Sequence, residues 1–202
     1  MSPRGRRPAS ADTRGTIVEA ARAEFAESGY DATSLRGVAR RAGVDPALLH
    51  HYFDGKPGLF AEVLQVPADP EALIRAVAEG PIEDVGERMA RTFLMVWDSP
   101  EGRERFQVIV RSAVSHDDAA RMLREFVVGA IFGNLARQIA MRHNEIGIDE
   151  IDVRAALAAA QMVGLGMLRY VIELPAMVDA TPDALVAHLA PTLQRYLVGP
   201  VV

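Results

Sequence analysis

Apolar positions recur every three or four residues along most of this chain, and no stretch alternates apolar with polar as a half-buried strand would. An all-α fold follows. The first run carries Ile17, Ala20, Ala21 and Phe25 on one side. It starts at Asp12 or Thr13 and stops at Ser28-Gly29, with glycine where helices commonly end. The second is short: Leu35, Val38, Ala39 and Ala42, behind the capping hydroxyls of Thr33-Ser34. The third carries Leu48, Leu49, Tyr52 and Phe53. Between the last two, Gly43 offers a positive φ at low steric cost, and Val44 is apolar enough to lie under the turn. Asp45 suits a cap and Pro46 the first helical position. Two short helices joined this way predict a helix-turn-helix, the motif whose second helix reads DNA.

Asp54-Gly55 is a turn, and a fourth helix is predicted over residues 56–64. Val66-Pro67-Ala68-Asp69-Pro70 then breaks the pattern. The expected organisation is a flexible basic tail over 1–11, a helix-turn-helix domain over 12–66 and a helical domain over 67–202. Helices are predicted near 70–79, 82–98, 102–115, 117–142, 151–174 and 182–197. Pro100, Pro175 and Pro182 fall at breaks, whereas Pro191 either kinks the final helix or splits it.

Charge sharpens this division. The net charge is −5, an awkward value for a DNA binder. Residues 1–60, however, hold nine Lys and Arg against seven Asp and Glu, leaving thirteen against twenty in the rest. A mildly basic head on an acidic body fits a chain whose first part alone meets DNA. The absence of cysteine excludes disulfides, thiol catalysis and thiolate metal sites, and fits a cytoplasmic location. The basic start is followed by no apolar leader segment. The longest uninterrupted apolar run, Phe126 to Gly133, is far below the roughly 20 residues of a membrane span, so no membrane association is expected.

The segment from Gly29-Tyr30 through Thr33-Ser34-Leu35-Arg36, Ala42-Gly43-Val44 and Tyr52-Phe53-Asp54-Gly55-Lys56-Pro57-Gly58-Leu59 resembles the TetR family of bacterial transcription regulators. The phrase Tyr-Phe-x-x-Lys-x-x-Leu directly after a helix-turn-helix carries most of the resemblance, which covers about the first 64 residues. It implies an all-helical homodimer that reads a palindromic operator in double-stranded DNA. It also implies a repressor released when a small-molecule effector binds the body. The chain departs from the family pattern at Gly37, where an acid is common, and at Asp45, where serine often caps. Leu48 replaces a frequent threonine and His50 a frequent tyrosine.

Chemistry assigns candidate DNA contacts within that segment. Tyr52 and Lys56 are the leading candidates: the Tyr52 phenol can donate to a phosphate, with a core aromatic as the alternative. The Lys56 ammonium can neutralise phosphate charge. Thr33 and Ser34 cap a helix start that also suits a phosphate. Arg36 can reach a guanine edge or a phosphate, and Arg40 shares its face. Arg41 reads as a solvated arginine. On the third helix Leu49 should face inward, while Ala47, His50 and His51 face outward and Leu48 lies between. Ala47 or Leu48 can touch a thymine methyl, and the histidines can donate to phosphate or base. Adjacent side chains on a helix point about 100° apart, so His50 and His51 do not make a metal site. Arg4, Arg6 and Arg7 could enter a minor groove or act as a loose charged arm.

In the body, Phe93, Trp97, Met122 and Phe126 are the candidate lining of an apolar effector site, with core packing as the plainer reading. Few buried charges are evident, which favours an apolar or amphipathic effector. Leu157, Leu165 and Leu168 with Leu185, Leu189, Leu193 and Tyr196 recur at helical spacing on the last two long helices. They are the candidate dimer interface, and intramolecular core is the alternative. No nucleophile elbow, dinucleotide loop, phosphate loop or zinc-protease motif is present, so neither enzyme chemistry, a cofactor nor a metal is expected. Two other classes stay open: a helical ligand-binding enzyme with a vestigial head, and a regulator controlled by a protein partner.

Overall fold

Short helices are marginal in water and persist where their ends are capped and one face is buried. The computed structural model describes residues 9–142 and 150–200, with side chains from Thr13 onward. The candidate tail residues Arg4, Arg6 and Arg7 lie outside them. Two compact units divide between Gln65 and Val66. Among the described residues every regular element is helical.

In the first unit, α1 (Ala9–Ala32) runs four residues past the expected stop and is interrupted at Gly29, whose φ of 80° leaves the helical region. Helix α2 (Leu35–Ala42) is capped by the Ser34 side chain, which accepts from the Gly37 amide. At its end Gly43 takes φ 68°, which only glycine adopts without strain. Helix α3 (Pro46–Tyr52) begins at Asp45, whose carboxylate accepts from the Ala47 amide, and α4 (Gly55–Leu64) follows. Ile17, Phe25, Val38, Leu49, Leu59 and Phe60 are fully or almost fully buried between these helices. The rings of Phe25, Tyr30 and Phe60 pack edge to face and stacked, with centroids 4.7–5.9 Å apart. Each buried large side chain is worth about 1.5–3 kcal/mol, so three short helices and α1 hold together around one aromatic knot.

The second unit contains α5 (Pro70–Ala78), a short 3₁₀ turn at Ile82–Asp84, α6 (Val85–Trp97), α7 (Pro100–Ser115) and α8 (Asp117–Arg124). After them come α9 (Asn134–Arg142), α10 (Ile151–Gly166), α11 (Pro175–Val178) and α12 (Pro182–Val198). The expected single helix over 117–142 is α8 and α9 joined by a wider π-helical stretch, Glu125–Gly133. A second π stretch, Met167–Val171, continues α10. Widening a helix hardly alters its apolar pattern, so neither stretch is visible in the sequence. Helix α12 passes through Pro191 without splitting.

Ile74, Val85, Met89, Leu94, Leu135, Ile139, Met162 and Leu193 form the centre of the core. Helices α6 and α12 touch backbone to backbone at Gly86, where a Cβ would lie 2.6 Å from the Gln194 amide nitrogen. The Gly86 N–H donates to Gln194 Oε1 at 2.8 Å, and Gln194 Nε2 donates to the Ile82 carbonyl at 2.7 Å. The segment Ile151–Val171 is long and apolar enough to cross a membrane by length and composition. Run-counting overlooked it because Asp152, Arg154, Gln161 and Arg169 interrupt the run. One face of that segment, with Ala155, Ala158, Met162 and Leu165, is buried in the core.

Candidate nucleic-acid interface and effector-unit network

The caps on α2 and α3 fix the turn between them, and the buried Leu49 fixes which side of α3 faces in. What remains outward is the ridge expected to meet DNA. Ala47, His50 and His51 are exposed, while Leu48 and Tyr52 are half-buried. The His51 and Tyr52 rings meet edge to face at 5.1 Å. Ser34, Arg36 and Arg40 are exposed on or beside α2. Arg41 is turned away from that surface: it pairs with Glu24 at 2.8 Å and with Glu27, and its hydrogen bond holds the Glu27 carboxyl below the usual range.

Two of the candidate contacts stand apart from this ridge. Thr33 is buried, and its hydroxyl donates to the carbonyls of Gly29 at 2.7 Å and Glu24 at 3.2 Å, so it sutures the interruption in α1 and presents nothing outward. Lys56 folds over the Tyr30 ring, its nitrogen 4.5 Å from the centroid. Its ammonium donates to the carbonyls of Tyr30, Asp31 and Thr33 at 2.9, 3.1 and 3.2 Å. All three protons are spent on the carbonyls where α1 ends, the favourable place for a cation. Lys56 is a fastener in this conformation. The Tyr30 hydroxyl below it is pushed up to about 12, first by burial and then by the Asp31 charge.

In the second unit, Phe93 and Trp97 come together with centroids 6.4 Å apart. Phe106 and Tyr170 join them: Trp97 to Phe106 is 5.3 Å, Phe106 to Tyr170 5.5 Å and Phe93 to Tyr170 6.5 Å. The Phe106 ring lies on Gly166 of α10, where a Cβ would sit 2.7 Å from Cε2. Met122 is half-buried on α8 and Phe126 is buried in the first π stretch.

Sequence reasoning missed what lies beside these rings. Asp98, at the end of α6, accepts from Arg169 Nε at 2.7 Å and Nη2 at 3.0 Å, and from the Tyr170 hydroxyl at 3.0 Å. The remaining Arg169 nitrogen, Nη1, donates to the carbonyls of Met177, Val178 and Ala180. Desolvation would raise the Asp98 carboxyl, but the hydrogen bonds and charge of Arg169 outweigh it and hold the group below the usual carboxylate range. Burial, and then the Asp98 charge, drive the Tyr170 hydroxyl upward. The partners stand 71 and 72 residues apart, and the one local hint is an arginine in an otherwise apolar stretch.

The candidate dimer residues divide. Leu165, Leu185 and Leu193 are buried in the chain's own core, the alternative to a dimer face: Leu165 lies on the inner side of α10, and α12 turns Leu185 and Leu193 into the same cluster. Leu189 is half-buried against the same core. Leu168 and Tyr196 are half-buried. The Tyr196 carbonyl accepts from Arg154, which ties α10 to the end of α12. Leu157 alone of the set is exposed, at 42%. It lies in a different stripe, with Val153, Ala160, Val163 and Val171 exposed and Gly164 and Met167 half-buried along the outer side of α10. On α12 the exposed side carries Ala184, Ala187, His188 and Pro191. Among the described residues no group of three His, Asp or Glu side chains comes together as a metal cluster.

A capped helix pair with an exposed second helix, followed by a separate helical unit, defines a helix-turn-helix DNA-binding protein. Residues 17–63 match the family described as bacterial regulatory proteins, tetR family, and residues 83–197 match the tetracyclin repressor-like C-terminal domain. The chain belongs to the TetR family and is a transcriptional regulator. It is similar to the HTH-type transcriptional regulator BetI of Yersinia pestis (strain Pestoides F), 30% identical over 105 residues, 43% of this chain and 53% of that protein. That alignment spans about half the length of the relative. BetI of Pectobacterium atrosepticum is 27% identical over 170 residues, 68% of this chain and 87% of the relative. Among solved structures, a TetR-family regulator from Streptomyces coelicolor A3 is 36% identical with a TM-score of 0.49, covering 96% of this chain and 98% of that one. Salmonella enterica GusR is 20% identical with a TM-score of 0.50, covering 96% and 99%.

Proposed function

We propose that this regulator acts in the cytoplasm as a homodimeric repressor that binds a palindromic operator and is released by a small apolar or amphipathic effector. The observation that carries the reading is the exposed ridge of α3, Ala47, His50 and His51, on a helix fixed at its start by Asp45 and from behind by Leu49. Arg36 and Arg40 on α2 supply positive charge beside it. A two-fold dimer sets its two ridges against half-sites about 34 Å apart.

The outer stripe of α10 with the small residues of α12 supports the pairing, in place of the buried leucines. Small side chains let helices of two copies approach closely. The rings of Phe93, Trp97, Phe106 and Tyr170 are the apolar surface the effector engages. An effector shifts the equilibrium only if it binds the operator-competent form less well than the other. The junction at 64–70 is the lever between the two units.

The test is a retention assay. The purified chain is mixed with fragments of its own genome at fixed salt, and the retained DNA is sequenced and titrated. A palindromic fragment bound at least a thousandfold more tightly than random DNA is expected. Equal affinity for both would end the reading. An effector screen against that complex then separates release by a metabolite from control by a protein partner. Turnover of a bound metabolite would support the enzyme alternative.

A further inference from the structure

The apolar outer stripe of α10 does not stop where the helix does. Past Val171, Ile172 is 60% exposed, and Leu174 and Val178 are also exposed. Over residues 171–178 the only charged side chain is Glu173, which sits at φ 55°, a region costly for a residue with a Cβ. An arm this apolar loses free energy in water and tends to fold inward. Here it is held out. The Ile172 amide donates to the Met167 carbonyl at 2.9 Å, and the Leu174 amide donates to the Leu168 carbonyl at 2.8 Å. From behind, the buried Arg169 grips the carbonyls of Met177, Val178 and Ala180 while its other nitrogens hold Asp98.

We propose that the Val171–Val178 arm extends the face by which two copies of this chain pair, and that Arg169 is the positioning residue that presents it. The proposal rests on the dimer reading above. A second copy is the fitting occupant for three reasons. The arm continues the α10 stripe through Met167 and Val171, so what covers one reaches the other. A two-fold face must be self-complementary, and an apolar surface meets that condition with its own copy. No basic side chain is exposed over residues 171–178 to hold a nucleic acid or an anionic membrane. The arm's fastening is shared with the aromatic cluster, because Tyr170 contributes its ring to the cluster and its hydroxyl to Asp98. Rearrangement of the rings therefore reaches the pairing face through one carboxylate.

The experiment is sedimentation equilibrium of the full chain over a concentration series, with far-UV circular dichroism as the fold control. The unaltered chain is expected to dimerise, and Leu157→Arg to abolish the dimer. Ile172→Arg is expected to raise the dimer Kd about tenfold or more with an unchanged spectrum. Arg169→Lys keeps the charge but cannot fork to Asp98 and the carbonyls together. It should weaken the dimer and blunt the further effect of Ile172→Arg, a coupling that a merely structural role would not produce. If Ile172→Arg leaves Kd unchanged while Leu157→Arg dissociates the dimer, the arm proposal is overturned and the dimer reading stands. If the unaltered chain is monomeric, both fall.

Discussion

The two units solve the same problem with opposite means. In the first, polar side chains serve the backbone beside them: Ser34 and Asp45 reach amides two or three residues on, and Thr33 reaches a carbonyl four residues back. In the second, the decisive polar bonds join distant parts of the chain, 108 residues apart for Gly86 to Gln194 and 71 for Arg169 to Asp98. The caps of the first unit thus set where α2 and α3 begin and turn, while the burial of Leu49 and the reach of Lys56 back to α1 fasten those helices together. The larger unit depends on a few long-range ties, and those are where a change in one helix can reach another.

Breaking the strongest of these ties should have the largest effect. Gly86→Ala pushes a Cβ into the α12 backbone and is expected to cost about 3 kcal/mol or more. Chemical denaturation should show the loss in the second unit while the first keeps its own transition; a wild-type curve would remove the close approach from the account. Asp98→Asn leaves the buried Arg169 without its counter-charge and should cost about 3 kcal/mol at neutral pH. The sign follows from a depressed carboxyl: its contribution is present above the unfolded value near pH 4 and is lost as pH falls through the lower folded value. The gap between the two proteins should therefore close only in strong acid, as stability measured across pH would reveal.

Within the first unit the comparison is sharper at lower energy. Lys56→Met keeps the stem and deletes three hydrogen bonds, so the unit should lose about 2 kcal/mol. Amide exchange in α1 and α4 would report it. If stability is unchanged and the salt dependence of DNA binding instead falls by about one charge, Lys56 is a phosphate ligand after all. His50→Ala is the smallest change: stability within about 0.5 kcal/mol, because the side chain is exposed. Operator affinity should nonetheless drop about fivefold in a titration at constant salt, and equal affinity would remove His50 from the ridge.

The helix-turn-helix was legible because its signals are short-range. Gly43, Asp45, Pro46 and the apolar spacing of α2 and α3 each act on the turn they belong to. The sequence is ambiguous where a side chain has two uses. A threonine before a helix can cap it or bond backward, and Thr33 bonds backward because the preceding helix breaks at Gly29. A lysine after a helix-turn-helix can reach DNA or a helix end, and here Lys56 reaches the carbonyls of Tyr30, Asp31 and Thr33. Helical spacing on α12 reveals that one side is apolar but not against what that side packs, so Leu185 and Leu193 fit a dimer face and the chain's own core equally until the core is seen.

The order of residues alone determined that the chain is helical, where its recognition turn lies and which side of α3 can face a groove. Those depend on propensity, caps and periodicity, all of which operate within a few residues. Only the tertiary structure decided that Lys56 bonds the carbonyls at the end of α1, that Leu185 and Leu193 of α12 lie in the core and that Arg169 meets Asp98. Each of those is a competition between partners far apart in sequence, and packing geometry settles which of them come within hydrogen-bond reach.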